Sequence, residues 1–501
     1  MTMSLLFSDR FATRARGAQG LLLAVLFMAL AAAALLPHFI VSALFGASGL
    51  AAIAVITIGS LYLSYEFSFA LLVICLFLQN LFIAIVTPLA PGLDQFTPML
   101  GTSFINIVIT SAFCAVMWLK LRRDMPDENK SLMHSLVLFF AIIVVYSGLG
   151  AAHATVNDAL VYARVYAIGG LLLIIGIAFG SRLAPGYAVN IFRVISFILV
   201  AWGIAEFFFT YSVYSFFHIA DYIHLKYATA ESMDIHNVQE AIDFASRSYL
   251  NLSGALGLNF DILRPQGPNI HPISYAYALA FGALVCYINR FPLLLGLCLA
   301  LLLLVGAKGP LIMAFLSLAL ATIYHFRQSR GTLLILLVAS MTIYAVIGIA
   351  YGMYTEDYHV VGFMGGVKGF FHNPLGQGIG VGGNLSTMTL QYADFGLFQG
   401  YGASFALESG FGVMLYQIGI GTAAFLLFYW RLWQCVWRAA LYFADQPRLV
   451  ALPCALAILL VNSIFQEEAF SPAGWGPLML LSGLLLAKYW QQTDFQSPKK
   501  A

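Results

Sequence analysis

Charge is what this chain lacks. Of its 501 residues only 9% are Asp, Glu, Lys or Arg, and 61% are hydrophobic. Soluble domains carry about 25% charged residues, so a soluble globular class is excluded. Mean hydropathy is +0.88, which leaves an all-α polytopic membrane protein. Cysteine is also scarce. Cys75, Cys114, Cys286, Cys298, Cys435 and Cys454 lie in apolar stretches or at their inner edge, none at CxxC spacing. Neither a disulfide framework nor a zinc site follows from that pattern, and small buried hydrophobes do. No internal repeat is visible, which disfavours a transporter built from two related halves. No basic stripe interleaved with aromatics points to nucleic acid.

Long apolar runs are what the chain has. About 14 are long enough to span a bilayer as helices, near 18–37, 46–64, 67–88, 99–120, 132–152, 157–180, 187–210, 270–289, 291–307, 310–326, 332–353, 408–430, 449–466 and 472–489. Arg10, Arg14 and Arg16 before the first run mimic a signal peptide. The run is long and many spans follow it, so an uncleaved first helix is expected. Residues 1–501 then form a single transmembrane domain.

The cations orient these spans. Eighteen of the 24 Lys and Arg residues fall on alternate connections, from Arg10–Arg16 through Lys120–Lys130, Arg182, Arg290, Arg327 with Arg330 and Arg431–Arg448 to Lys488–Lys500. The positive-inside rule makes that side cytoplasmic, with both termini on it. Six cations remain for the opposite face: Arg164, Lys226, Arg247, Arg264, Lys308 and Lys368. Lys226, Arg247 and Lys368 read as ordinary surface charges on the two long hydrophilic segments, 211–269 and 354–407. Within the first of these, Ile235, Val238, Ile242 and Ala245 repeat at helical spacing. They predict a short amphipathic helix at the interface, acting as a structural lid or a substrate gate.

The other three cations are pinned at the outer membrane boundary. Arg264 opens RPQGPNIHP, where three prolines stiffen the approach to a helix. Its guanidinium fork suits phosphate oxygens, or anchors the chain to a lipid headgroup. Lys308 sits in the tight turn VGAKGP, either holding an anion or snorkelling. Arg164, about two turns into its span in VYARVYAIGG, faces a polar cavity or pairs with Glu206. FFHNPLGQGIGVGGN, residues 370–384, is glycine-rich but lacks the Walker Lys and Ser/Thr. It predicts a compact loop whose amides approach an anion or sugar. Glu408, in ALESGFGVMLYQIGIG, is expected in the first turn of a helix, complementing the dipole or acting as general base. Glu467 and Glu468 in QEEAF, with His271 and His372, are accessory candidates.

Taken in order, Arg-Pro-x-Gly with a following His-Pro, a short basic turn, Asn-Pro-Leu-Gly-x-Gly-x-Gly, and a polar residue opening a Gly-Ile-Gly helix resemble the O-antigen polymerase and ligase superfamily. The likeness covers residues 264–425. It implies a GT-C-like integral membrane glycosyltransferase of the bacterial inner membrane with a periplasmic active site. The substrate would be an undecaprenyl-pyrophosphate-linked glycan, with a flippase and a chain-length regulator as partners. Arg264, Lys308 and Arg164 match positions that hold the pyrophosphate, and Glu408 the base, with neither metal nor other cofactor. Ligases of the family, which move glycan to lipid A core, carry Arg at the position of Lys308 and His at that of Glu408. Glu-Ser-Gly is closer to the polymerases, so a polysaccharide polymerase is expected ahead of a ligase. A lipid-linked oligosaccharide flippase is the alternative of another class, and it would place its charges nearer the bilayer midplane.

Overall fold

The computed structural model describes residues 13–121, 127–184, 186–228, 235–248, 261–355, 357–386 and 408–496. Arg10, Arg122, Arg123, Lys499 and Lys500 of the basic clusters lie outside the described residues, as do 229–234, 249–260 and 387–407 of the hydrophilic segments. The described chain is almost entirely helical. Its helices are α1 (Thr13–Phe45), α2 (Gly49–Leu63), α3 (Tyr65–Val86), α4 (Leu93–Met99), α5 (Thr102–Leu121), α6 (Asp127–His153), α7 (Val156–Gly180), α8 (Tyr187–Phe208), α9 (Thr210–Phe216), α10 (Ile219–Tyr227) and α11 (Val238–Ala245). After the strands β1 (Ser246–Ser248) and β2 (Asp261–Leu263) come α12 (Pro272–Asn289), α13 (Pro292–Val305), α14 (Lys308–Arg327), α15 (Arg330–Tyr354) and α16 (Tyr358–His372). The last are α17 (Gly410–Ile418), α18 (Thr422–Tyr442), α19 (Ala451–Phe465) and α20 (Gly476–Gln496).

Ten helical stretches among the described residues are long and apolar enough to cross a membrane, and α12 and α13 are apolar but shorter. The protein is therefore a polytopic helical membrane protein, but its helices do not follow the 14 apolar runs one for one. The first two runs form one stretch, Ala18–Leu63. Helix α1 continues through Pro37 to Phe45, and a three-residue turn, Gly46–Ser48, leads straight into α2. The run near 408–430 is interrupted, because Gly419 at φ +47° stops α17 after nine residues and α18 begins at Thr422.

The chain forms two compact units. Unit 1 comprises residues 1–114 and 179–314. Helix α12 is its centre and is buried on all sides from Ser274 to Ile288, as an apolar helix without a polar face must be. Its Phe281 packs edge-on against Phe192 of α8, centroids 5.2 Å apart, and stacks on Phe77 of α3 at 5.9 Å. The expected amphipathic helix is α11. Asn237 caps it by accepting from the Glu240 amide, and Ala241 and Ala245 are buried where it packs on α9 and α10.

Unit 2 comprises residues 115–178 and 315–501. Phe139 of α6 stacks on Phe428 of α18, with centroids 5.9 Å apart and planes 9° apart. Helices α16 and α17 touch backbone to backbone, since a Cβ on Gly366 would lie 2.1 Å from the Gly412 carbonyl oxygen. The glycine-rich segment after α16 threads among these helices. Its Ile379 amide donates to the Tyr146 carbonyl (2.8 Å), Gln377 to Tyr416 (3.0 Å) and Gly378 to Gln417 (2.9 Å). A Cβ on Gly150 of α6 would lie 1.7 Å from the Ile379 oxygen, whereas one on Gly148 would meet nothing within 4 Å. Gly150→Ala is expected to destabilise unit 2 by on the order of 3 kcal/mol. Gly148→Ala, two residues away on the same helix, is expected to be nearly neutral. Thermal unfolding in detergent separates the two, and equal melting temperatures would contradict this packing.

Candidate functional site

Unit 1 builds a site around a buried carboxylate. Glu206, near the end of α8, is fully buried. It accepts four hydrogen bonds: from the Gln266 amide (2.7 Å), the Gly267 amide (2.8 Å), the Tyr214 hydroxyl (3.1 Å) and the Trp202 indole (3.2 Å). The expected pairing of Glu206 with Arg164 is thus corrected. The carboxylate is saturated by neutral donors of its own unit, and Arg164 is not among them. Two of the four donors are backbone amides from one stretch of chain. Their bonds hold RPQGPNIHP rigidly at the mouth of α12. Gly267 is required there, since at φ +65° a Cβ would also lie 2.2 Å from the Tyr275 ring.

That segment fixes Arg264. Its amide donates to the Ala245 carbonyl (3.2 Å), and its Nε donates to the carbonyl of Val305 (2.9 Å), the last residue of α13. Three residues further on, after a left-handed Gly306, exposed Lys308 opens α14. The structure therefore brings Arg264 and Lys308 to the same α13–α14 corner. His271 does not join them as a reactive group. It is the N-cap of α12, where its Nδ1 accepts from the Ser274 amide (3.3 Å).

Unit 2 gathers the acids. Glu408 does not stand in the first turn of a helix as expected. Ser409 is the N-cap of α17, accepting from the Gly412 amide (3.0 Å), and Glu408 precedes it in the left-handed region at φ +55°. A non-glycine residue held there costs about 1–3 kcal/mol and is characteristic of functional sites. His359 of α16 lies against Glu408, its Nδ1 3.4 Å from Oε2 and 3.3 Å from the backbone oxygen. The Glu408 carbonyl also accepts from the Glu467 amide (2.9 Å), which makes the two acids neighbours.

Glu467 itself is held in the QEEAF turn. Its Oε2 accepts from the Asn384 amide (3.3 Å), while Oε1 is sealed from solvent without a hydrogen-bond partner. Burial pushes its pKa up from 4.5 to about 7, the Tyr162 hydroxyl and the Asn384 amide pull it down, and the charges of Glu468 and Glu408 add to the rise. Tyr162 in turn accepts from the Leu385 amide (3.0 Å), and Tyr166 donates to Gln417 (2.9 Å), whose amide donates to the Gly382 carbonyl (2.9 Å). The glycine-rich loop is thus a packed structural segment. The amides of residues 377–379, 384 and 385 are spent on protein acceptors, so the expected anion cradle is not formed by them.

Two of the sequence candidates stand apart from this network. His372 ends α16, thirteen residues and about 20 Å along the helix from His359, and its Nδ1 meets the Lys368 carbonyl (2.9 Å). Arg164 is on α7 between Tyr162 and Tyr166, about 200° around the helix from both, and so on a different face from theirs. His359 and Tyr162 were not evident as site residues in the sequence, because a single His in a polar stretch and a Tyr in an apolar run carry no pattern. No group of three or more His, Cys, Asp or Glu among the described residues is arranged to hold a metal ion. The fold and these sites define an all-α polytopic membrane protein with buried acidic positions. Comparison with known protein families, curated proteins and solved structures finds no match.

Replacing Glu206 by Ala would strand two buried backbone amides. The expected cost is on the order of 3 kcal/mol, with Glu206→Gln in between because it keeps one acceptor oxygen. Unfolding of the two variants in detergent checks this; an Ala variant as stable as the native protein would contradict the anchoring role.

Proposed function

We propose that the protein is a polysaccharide polymerase, joining undecaprenyl-pyrophosphate-linked glycan repeat units at the outer face of a bacterial inner membrane. The observation that carries the reading is the α13–α14 corner. Arg264, fixed through the Glu206-held segment, and Lys308 present two cations there. A lipid-linked pyrophosphate is an anion that a bilayer holds at such a boundary. Arg264 and Lys308 stabilise the departing pyrophosphate, with Arg164 as a further basic position. Glu408 takes the proton.

In this reaction an acceptor sugar hydroxyl attacks the anomeric carbon of the growing chain. The new C–O bond forms as the bond from that carbon to the pyrophosphate breaks, and one displacement inverts the anomeric configuration. The hydroxyl proton passes to the Glu408 carboxylate, and the negative charge gathering on the leaving pyrophosphate is met by the cations.

Lys308→Ala is the cleanest test, since the side chain is exposed and folding does not depend on it. It and Arg264→Ala are each expected to slow transfer by about 10²–10³-fold, and Arg264→Lys to restore only part, lacking the fork. Extension of a defined lipid-linked repeat by purified variants is the measurement. Undiminished extension by both Ala variants would overturn the reading.

A further inference from the structure

We propose that Glu467 is a positioning residue that carries a proton in the acid cluster it forms with Glu408 and Glu468 in unit 2. This rests on the polymerase reading for its role, but not for its chemistry. The geometry begins with the two backbones. The Glu467 amide donates to the Glu408 carbonyl (2.9 Å), so the QEEAF turn and the residue before α17 are tied together. Like charges brought this close do not both ionise freely, and the proton settles on the acid whose charge is solvated worst.

The two environments decide which acid that is. Glu408 is about one-third exposed and has His359 Nδ1 3.4 Å from its Oε2. Glu467 has one oxygen sealed off with no donor, and the carboxyl is met by the Asn384 amide at 3.3 Å and by the Tyr162 hydroxyl. An ionised carboxylate with an unpaired oxygen out of water is costly, and a neutral carboxyl much less so. The groups that face Glu467 among the described residues are Tyr162 and Tyr166 from α7, Glu468 from its own turn and Glu408 from the α17 approach, none of them a cation. A second unpaired group lies close by. Ser386, two residues past Asn384, is fully buried and its hydroxyl has no partner. The turn that carries it, Gly383–Ser386, packs on the Tyr162 hydroxyl, 2.0 Å from where a Cβ on Gly383 would stand. The rise of Glu467 to about 7 agrees in direction. Glu467 is protonated below that value and ionised above it.

Infrared titration of the purified protein carrying Glu206→Gln, which removes the other deeply buried carboxyl, tests this without any substrate. A protonated-carboxyl stretch is expected that is lost as pH rises through about 7. Glu467→Gln removes that band. Glu408→Gln keeps it and moves its midpoint to lower pH, because a neighbouring negative charge is gone. Tyr162→Phe moves the midpoint up, since a hydroxyl that stabilises the carboxylate is lost, and it serves as the test if Glu467→Gln does not fold. A band that survives Glu467→Gln, or that Glu408→Gln abolishes, or a midpoint unmoved by Tyr162→Phe, would overturn the assignment. Titration as expected in a protein that transfers no glycan would support the proton assignment and count against the polymerase reading alone. In transfer assays the inflection near about 7 in the pH profile is expected to vanish with Glu467→Gln.

Discussion

A backbone amide that leaves a helix inside an apolar bundle must find an acceptor within the protein, because no water is there to serve. Two irregular segments among the described residues are shaped by that constraint, and in both a glutamate contributes. In unit 1 the Glu206 carboxylate accepts from Gln266 and Gly267 and thereby fixes the stretch that carries Arg264. In unit 2 the carbonyls of Tyr146, Tyr416 and Gln417 and the Glu467 carboxylate take up the amides of the glycine-rich loop. Remove these acceptors and neither segment has a reason to lie where it does.

The two glutamates differ in how fully they are satisfied. Glu206 receives four donors and is an anchor. Glu467 accepts from the Asn384 amide at 3.3 Å and from the Tyr162 hydroxyl and keeps a sealed, unpaired oxygen, which is a poor way to hold structure. The same physical rule thus yields a rigid frame for the basic corner and a protonatable group beside Glu408. Strain at Glu408, held at φ +55° next to His359, falls in the same place.

Much of the fold was legible from hydropathy alone, because a helix that is apolar all round has no alternative to burial or lipid. The basic corner was legible too: prolines around Arg264 and glycines around Lys308 announce a stiff segment and a tight turn. What the sequence hid were partnerships across long separations. An acid in a span suggests a cation, so Glu206 pointed to Arg164, while its partners were backbone amides some 60 residues away, which no side-chain pattern encodes. The glycines of 376–383 suggested open amides, yet they serve close packing, as the clash of a Cβ on Gly378 with Gly150 at 2.5 Å shows. The first helix outran its apolar run near 18–37, because α1 passes through Pro37 and ends only at Phe45.

The functional account stands or falls on the bond the protein makes. The most direct measurement is the product formed when purified protein is reconstituted in lipid vesicles with a defined undecaprenyl-pyrophosphate-linked repeat unit. The account predicts a ladder of longer glycans on the same lipid, with inverted configuration at each new linkage. Repeat units moved across the bilayer with no new glycosidic bond, or glycan transferred only to a different acceptor such as lipid A core, would contradict it.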